Sequence, residues 1–176
     1  MGLRPHASGR ARLPLNRRTI EGVPASDPMI RRATPDDAPA ISDLFVRARE
    51  EMAYLPRIPE HDRPLLGGRF LARAELWVAE EAGRIVGFAG VSGNELTHLY
   101  VDPPAQNRGV GTALLDQVKS LRAEHLELWV FQKNESARRF YERHGFELVE
   151  LTDGAGNMER EPDALYRWPQ SPADVR

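Results

Sequence analysis

Several kinds of residue and segment are missing from this chain of 176 residues. It contains no cysteine, which excludes disulfide bonds, thiol nucleophiles and cysteine metal sites. No apolar run approaches the roughly 18 residues that indicate a membrane-spanning helix. These absences are typical of a protein from a reducing compartment. We therefore expect a cytoplasmic protein with no bound metal and no membrane partner.

Acidic residues are missing from the first 20 positions, which hold five arginines. The other positions hold 19 basic and 26 acidic residues, and a body of that charge is a poor partner for nucleic acids. Residues 1–28 show no lasting hydrophobic periodicity, so we predict a disordered arginine-rich arm. A basic arm that binds nucleic acid or lipid is the alternative. We predict one folded domain over residues 29–169 and a flexible tail over residues 170–176.

The hydrophobic pattern of the body changes repeatedly between short strands and helices. Thr34-Pro35-Asp36-Asp37 predicts a helix start, with Thr as the N-cap and Pro at the first helical position. Turn signals at Ala82-Gly83 and Gly93-Asn94 separate three strand-like runs, as in an antiparallel meander. Along the whole body the pattern gives the order βααβββαβαββ. We therefore expect an α/β (α+β) domain.

A glycine-containing loop follows the last strand of this meander and opens a helix. Gly109 and Gly111 lack the Cβ atoms that would keep backbone N–H groups away from an anion. The helix N-terminus adds unpaired donors and the positive end of its dipole. The loop lacks the lysine of a P-loop and the third glycine of the dinucleotide fingerprint. We predict a diphosphate-binding loop made by Gln106, Asn107, Arg108, Gly109, Val110, Gly111 and Thr112.

A second group of residues lies downstream of a strand-like run that ends at Phe131. Asn134 and Tyr141 stand seven residues apart, so they share one face of the predicted helix. Gly145 suits the left-handed position that ends a helix. This group, together with the Gln-x-x-Gly-x-Gly loop at a strand-to-helix junction, resembles the GCN5-related N-acetyltransferase (GNAT) superfamily over about residues 29–168.

The resemblance implies the GNAT fold, a mixed, mostly antiparallel seven-stranded sheet with about four helices. It implies acetyl-CoA as a co-substrate, with no metal. It also implies that the backbone of Leu99, Tyr100 and Val101 pairs with the pantetheine arm and supplies an oxyanion donor. Asn134 would bond the pantetheine arm as well. Tyr141 would protonate the leaving thiolate, since a phenol is protonated at neutral pH.

The general base stays open between three alternatives. Glu95 occupies the place at which histone-type members of the superfamily carry a glutamate base, and strict alternation puts it on the same strand face as Leu99. His98 competes with it, because the unperturbed pKa of histidine lies near neutrality; alternation puts His98 on the opposite face. The third alternative is a water relay with no dedicated base.

The acceptor is less well defined than the donor. By resemblance, two loops at about residues 57–62 and 152–163 face it, and the second carries more acid than base, which favours a cationic amine. We expect an N-acetyltransferase that acts on a primary amine of a small molecule or peptide. The sequence leaves open whether the chain forms a homodimer. The alternative is a non-catalytic module with the same fold that binds acyl-CoA as a sensor.

Overall fold

The computed structural model describes residues 27–122 and 125–168. In these ranges the predicted order βααβββαβαββ is confirmed. The predicted arm at 1–28, apart from its last two residues, and the predicted tail at 170–176 lie outside the described residues. The strands are β1 (Met29–Arg32), β2 (Glu75–Glu81), β3 (Arg84–Ser92), β4 (Glu95–Val101), β5 (Leu126–Phe131), β6 (Glu147–Leu151) and β7 (Asp163–Trp168). The α-helices are α1 (Ala38–Glu50), α2 (Leu66–Arg73), α3 (Val110–Leu121) and α4 (Glu135–Arg143).

The strands form one seven-stranded sheet in the order β1-β2-β3-β4-β5-β7-β6. Strands β4 and β5 run parallel, and the other neighbouring pairs are antiparallel, so the expected mixed sheet is confirmed. The parallel pair is joined only at Glu95 and Glu127, beside a 2.9 Å bond from the Glu127 N–H to the Asn94 carbonyl. Beyond that point the two strands diverge and leave a gap in the middle of the sheet.

Helices cover both faces of the sheet and bury a hydrophobic cluster on each. On the α3 face, Leu114, Leu115 and Val118 are fully buried against the strands. On the α1 face, Ile41 and Leu44 are fully buried between the helices and the sheet. Burial of this kind is the main stabilising contribution in a domain of this size. Packing from both faces therefore holds β4 and β5 in place although they scarcely pair with each other.

A β-bulge interrupts β4 near its start. Val91 pairs with Leu96 and the neighbouring Gly90 pairs with His98, so Thr97 is the extra residue. A bulge bends its strand and increases the local twist. The bulge lies two residues beyond Glu95, the residue of β4 that pairs with β5.

The bulge also changes which side chains of β4 share a face. Leu96 and Leu99 both belong to the cluster on the α3 face although they are three residues apart. Glu95, one residue before Leu96, is therefore on the α1 face by alternation. His98 lies on that face too, with its ring 6.5 Å from the ring of Phe45. The prediction that Glu95 shares a face with Leu99 and opposes His98 is thus wrong, because alternation fails across a bulge.

Helix α2 packs against α1 at Gly67, whose N–H donates to the Ser42 hydroxyl at 2.8 Å. A Cβ at this position would lie 2.0 Å from the Ala38 carbonyl oxygen. We expect Gly67→Ala to lower the free energy of unfolding by about 1–3 kcal/mol, the usual cost of overpacking. Denaturant unfolding measures it.

Gly68→Ala is the matched control for this substitution. A Cβ at Gly68 meets nothing within 4 Å, and alanine favours a helix over glycine by about 1 kcal/mol. The control should therefore be neutral or stabilising. Equal losses in the two variants would contradict the close contact between the helices.

Candidate active site

The gap between β4 and β5 opens into a cleft of about 1010 Å³. The cleft reaches both faces of the sheet, since Met52 and Tyr54 line it on the α1 side and Phe140 and Tyr141 line it on the α4 side. Its volume lies at the upper end of the range for small-molecule sites. An extended ligand can therefore enter from one face and meet a second ligand that enters from the other.

The predicted glycine loop forms one end of the cleft. Gly109 is left-handed with φ +87° directly before α3, and Asn107 is left-handed with φ +58°. Glycine adopts this conformation without strain, and asparagine tolerates it. The turn presents the unpaired N–H groups of the first turn of α3 to the cleft. The loop residues that line the cleft are Gln106, Asn107, Gly109, Gly111 and Thr112.

The side chains of two residues that were predicted to bind the diphosphate do not face the cleft. Arg108 forms an ion pair with Glu81 at 3.0 Å and does not line the cleft. The Val110 side chain is 1% exposed and belongs to the core. In this geometry the Arg108 side chain does not donate toward the cleft, and Val110 can offer only its backbone N–H.

Two arginines that the sequence interpretation missed line the cleft from α4. Arg139 and Arg143 are one helical turn apart. Arg139 also pairs with Glu135 at 3.2 Å, but its side chain remains 62% exposed. The signal in the sequence was the spacing of four residues between the two arginines, which puts both cations on one side of the helix. They supply positive charge that Arg108 does not.

The two residues predicted on and before α4, Asn134 and Tyr141, both line the cleft. The Asn134 Oδ1 accepts hydrogen bonds from the Ala137 N–H at 3.2 Å and the Ser136 hydroxyl at 3.1 Å, so it caps the helix. Its Nδ2 remains available as a donor. Tyr141 is 8% exposed. Burial, with a smaller contribution from Tyr100, raises the pKa of Tyr141, so its phenol is protonated at neutral pH.

Lys119 of α3 fixes the end of α4. Its Nζ donates to the His144 carbonyl and lies 5.2 Å from the ring centre of Phe146 and 4.7 Å from that of Trp168. Burial lowers the pKa of Lys119. The His144 ring also bonds the Thr112 hydroxyl at 3.1 Å. These contacts join α4 to the first and last parts of α3, and they fix the orientation of the Tyr141 side of the cleft.

The two candidate bases lie in different surroundings. His98 lines the cleft, and its ring centre is 4.2 Å from that of Phe70. Burial lowers the pKa of His98 to about 4, so the imidazole is neutral at neutral pH but a weaker base than an exposed histidine. Glu95 is exposed at the start of β4 and is not part of the cleft lining. Position in the cleft therefore favours His98 over Glu95, although burial weakens the imidazole as a base.

Acid should destabilise the fold through His98. The folded pKa is about 4 and the unfolded pKa is about 6.5, so between these values the unfolded chain binds more protons. The free energy of unfolding therefore falls as the pH falls through this window, by up to about 3 kcal/mol. His98→Gln should lose less stability than the wild type over the same window.

Denaturant unfolding at about pH 7, 5.5 and 4.5 measures this difference. His61→Gln is the control, because the His61 side chain is 82% exposed, and it should follow the wild type. Parallel curves for the wild type and the His98 variant would contradict the buried, neutral histidine.

The α1 side of the cleft is lined by the end of α1 and the turn after it. Ala48, Met52 and Tyr54 contribute from this segment. Residues 57–62, which were predicted to face the acceptor, are not part of the lining. This side of the cleft is therefore formed by the end of α1 itself, together with the aromatic rings of Tyr100 and Phe131 from the sheet.

The acids of the predicted second loop are mostly engaged within the protein. Glu159 pairs with Arg49 at 3.0 Å, and Glu161 pairs with Lys133 at 2.7 Å. The expected surplus of negative charge is thus largely neutralised. The pairs instead attach residues 152–163 to α1 and to the end of β5. These ion pairs link segments that are distant in sequence, which is why composition alone did not predict them.

Two further features concern the described ranges. No helix there is long and apolar enough to cross a membrane. No group of three or more His, Asp and Glu side chains in the same ranges is arranged to hold a metal ion.

Several known proteins are similar in sequence to this chain. Residues 72–148 match the family model for an acetyltransferase (GNAT) domain. The peptidyl-lysine N-acetyltransferase YiaC of Escherichia coli (strain K12) is 36% identical over 145 residues, which cover 80% of this chain and 97% of YiaC. The peptidyl-lysine N-acetyltransferase YjaB of the same strain is 39% identical over 81 residues, or 46% of this chain and 54% of YjaB.

Solved structures share the fold. The apo form of YjaB from Escherichia coli has a TM-score of 0.67 and 26% identity, and the match covers 82% of this chain and 99% of that one. A GCN5-related N-acetyltransferase from Rhodopseudomonas palustris has a TM-score of 0.69 at 24% identity, covering 82% and 97%, and this likeness bears on the fold alone. The match to YiaC runs through nearly the whole of that enzyme, and the chain therefore belongs to the GNAT superfamily, as an acyltransferase of the N-acetyltransferase type.

Proposed function

We propose that this chain transfers an acetyl group from acetyl-CoA to the side-chain amine of a lysine in a protein or peptide. The observation that carries the proposal is the cleft that passes through the sheet between β4 and β5. It has a loop suited to a diphosphate at one end, a protonated phenol in its wall and an aromatic mouth on the α1 side. The relationship to two peptidyl-lysine N-acetyltransferases supports lysine as the acceptor.

The acetyl donor, acetyl-CoA, would lie along the α3 and α4 side of the cleft. The loop from Gln106 to Thr112 offers backbone N–H groups to the diphosphate, and Arg139 and Arg143 offer positive charge to the phosphates. Asn134 offers its Nδ2 to the pantetheine arm. The backbone of β4 from Leu99 to Val101 faces the gap, where a pantetheine amide can pair with it as a strand would.

The acceptor would enter from the α1 side. Tyr54, Tyr100 and Phe131 line this mouth together with Met52. Aromatic and thioether groups suit the four methylenes of a lysine side chain, which is apolar up to its amine. Glu51 stands exposed at the rim and can meet the positive charge before the amine enters the gap.

The reaction needs a neutral amine, an oxyanion donor and an acid for the leaving sulfur. We propose that His98 or a water beside it takes the proton of the ammonium, with Glu95 as the less favoured base. A backbone N–H of the Leu99–Val101 edge donates to the carbonyl oxygen as the amine attacks. The C–S bond then breaks, and Tyr141 gives its proton to the sulfur and recovers one from water.

The acceptor is tested with two peptides of the same length. One contains a single lysine and a blocked N-terminus; the other has a free N-terminus and no lysine. We expect CoA release and acetylation of the lysine peptide only, with the modified nitrogen assigned by mass spectrometry.

Three other results would contradict the proposal. Acetylation of the N-terminus alone would assign the enzyme to α-amines. Turnover only with small amines would remove proteins as acceptors. Acetyl-CoA binding without CoA release from any amine would restore the alternative of an acyl-CoA sensor.

A further inference from the structure

Lysine is scarce in this chain. Lysine and arginine together number 24, and only Lys119 and Lys133 are lysines. A protein whose cleft acetylates lysine can also acetylate a lysine of its own, provided that the amine reaches the cleft. With two candidates, each can be judged from its contacts.

Lys119 is held away from the reaction. Its Nζ donates to the His144 carbonyl and lies over the rings of Phe146 and Trp168. Lys119 is not part of the cleft lining. Acetylation would remove the charge that these rings and the carbonyl stabilise, so Lys119 is an internal negative control.

Lys133 has the opposite placement. It lies between β5 and α4, directly before Asn134, and it lines the cleft. Its Nζ is 2.7 Å from the Glu161 carboxylate and 5.7 Å from the ring centre of Tyr54. A carboxylate and an aromatic face are the groups that recognise an ammonium ion. The side chain is 59% exposed, so it can leave Glu161 and turn into the gap.

We propose that Lys133 is a self-acetylation site, modified within the same molecule by the cleft that it lines. The inference rests on the proposed function. The Lys133 ammonium releases one proton to solvent, and its neutral nitrogen attacks the thioester carbonyl. The C–N bond forms, the C–S bond breaks, and the sulfur gains a proton from Tyr141, which is reprotonated from solvent as the second proton of the amine is released. The products are an amide on Lys133, free CoA and one proton.

Acetylation would change the acceptor side of the cleft. The amide carries no charge, so the ion pair with Glu161 is lost. The Glu161 side chain is 13% exposed and would be left without its cation. Because this pair attaches the segment before β7 to the cleft, the modified protein would have a looser and more negative acceptor mouth.

The test uses the full chain, with unmodified lysines at the start, incubated with acetyl-CoA and followed by intact mass and peptide mapping. We expect one acetyl group on Lys133 and none on Lys119. The rate per molecule should not change on dilution. Lys133→Arg, which keeps the charge and the pair with Glu161, should gain no acetyl group. Tyr141→Phe should slow self-acetylation by the same factor as peptide acetylation, which spontaneous chemical acylation would not do.

The lysine peptide is assayed in the same samples, so that two kinds of failure can be told apart. If the peptide is acetylated and Lys133 stays unmodified, the inference is overturned and the proposed function stands. If neither is acetylated, the proposed function fails. Equal modification of both lysines, or a rate per molecule that rises with protein concentration, would also overturn modification within the same molecule.

Discussion

Gly109→Glu should abolish acetyl-CoA binding and leave the fold intact. The new side chain would project from a left-handed residue with φ +87° into a space with no atom within 4 Å. It would bring a negative charge to the place proposed for the diphosphate. Loss of two charge-assisted hydrogen bonds, at about 1.5–3 kcal/mol each, predicts a Kd at least about 100-fold higher. Calorimetric titration with acetyl-CoA measures it.

Gly93→Glu separates this effect from backbone strain. Gly93 is also left-handed, with φ +57°, and a Cβ there also meets nothing within 4 Å. It precedes β4, whereas Gly109 follows it, so the two glycines lie beyond opposite ends of the strand. The control should lose similar stability but bind acetyl-CoA normally. Near-normal affinity of the folded Gly109 variant would remove the loop from the donor site.

Tyr141→Phe should lower kcat by about 10²- to 10⁴-fold, the usual range for a general acid. Acetyl-CoA affinity should change little, because only the leaving-group proton is lost. Burial raises the pKa of Tyr141, so its phenol remains protonated above the ordinary value of about 10. The wild-type rate should therefore show no decline from Tyr141 ionisation between about pH 7 and 10.

Tyr166→Phe is the matched control for Tyr141→Phe, because it removes a buried phenol hydroxyl that lies outside the cleft. The Tyr166 hydroxyl accepts from Arg138 Nε at 3.0 Å and donates to Glu142 at 2.7 Å. Its removal should cost about 1–2 kcal/mol of stability and leave kcat close to the wild type. Single-turnover kinetics give the rate of chemistry for both variants. An unchanged chemical step in the Tyr141 variant would exclude it as the acid.

The features that the sequence predicted correctly depend on residues close together in the chain. The loop before α3 and the helix start after it were predictable because both are encoded within a few residues; diphosphate binding there stays a prediction. The order of elements followed from hydrophobic period and turn residues in the same way. The helix start at Thr34 was equally local: a 3-10 turn over Pro35–Asp37 leads into α1, and the Thr34 N–H donates to Asp37 at 2.8 Å, as in a capping box.

The features that were missed depend on contacts between distant segments. The bulge at Thr97 is defined by pairing with β3. It puts Glu95 and Leu96 on the faces opposite to those that strict alternation from Leu99 predicts. The ion pair that takes Arg108 away from the cleft joins it to Glu81 of β2. The ion pairs of Glu159 with Arg49 and of Glu161 with Lys133 also join segments that are distant in the sequence. The homodimer depends on a second copy of the chain and stays a prediction.

The single point of pairing between β4 and β5 has a consequence for amide hydrogen exchange. Amides of β4 that bond to β3 should exchange slowly, whereas those that face the gap lack a strand partner and should exchange quickly. A co-substrate that pairs along the gap would protect this second set and leave the first unchanged. The protection would therefore alternate along one strand. The centre of the sheet would be complete only while the donor is bound, so the melting temperature should rise with acetyl-CoA concentration.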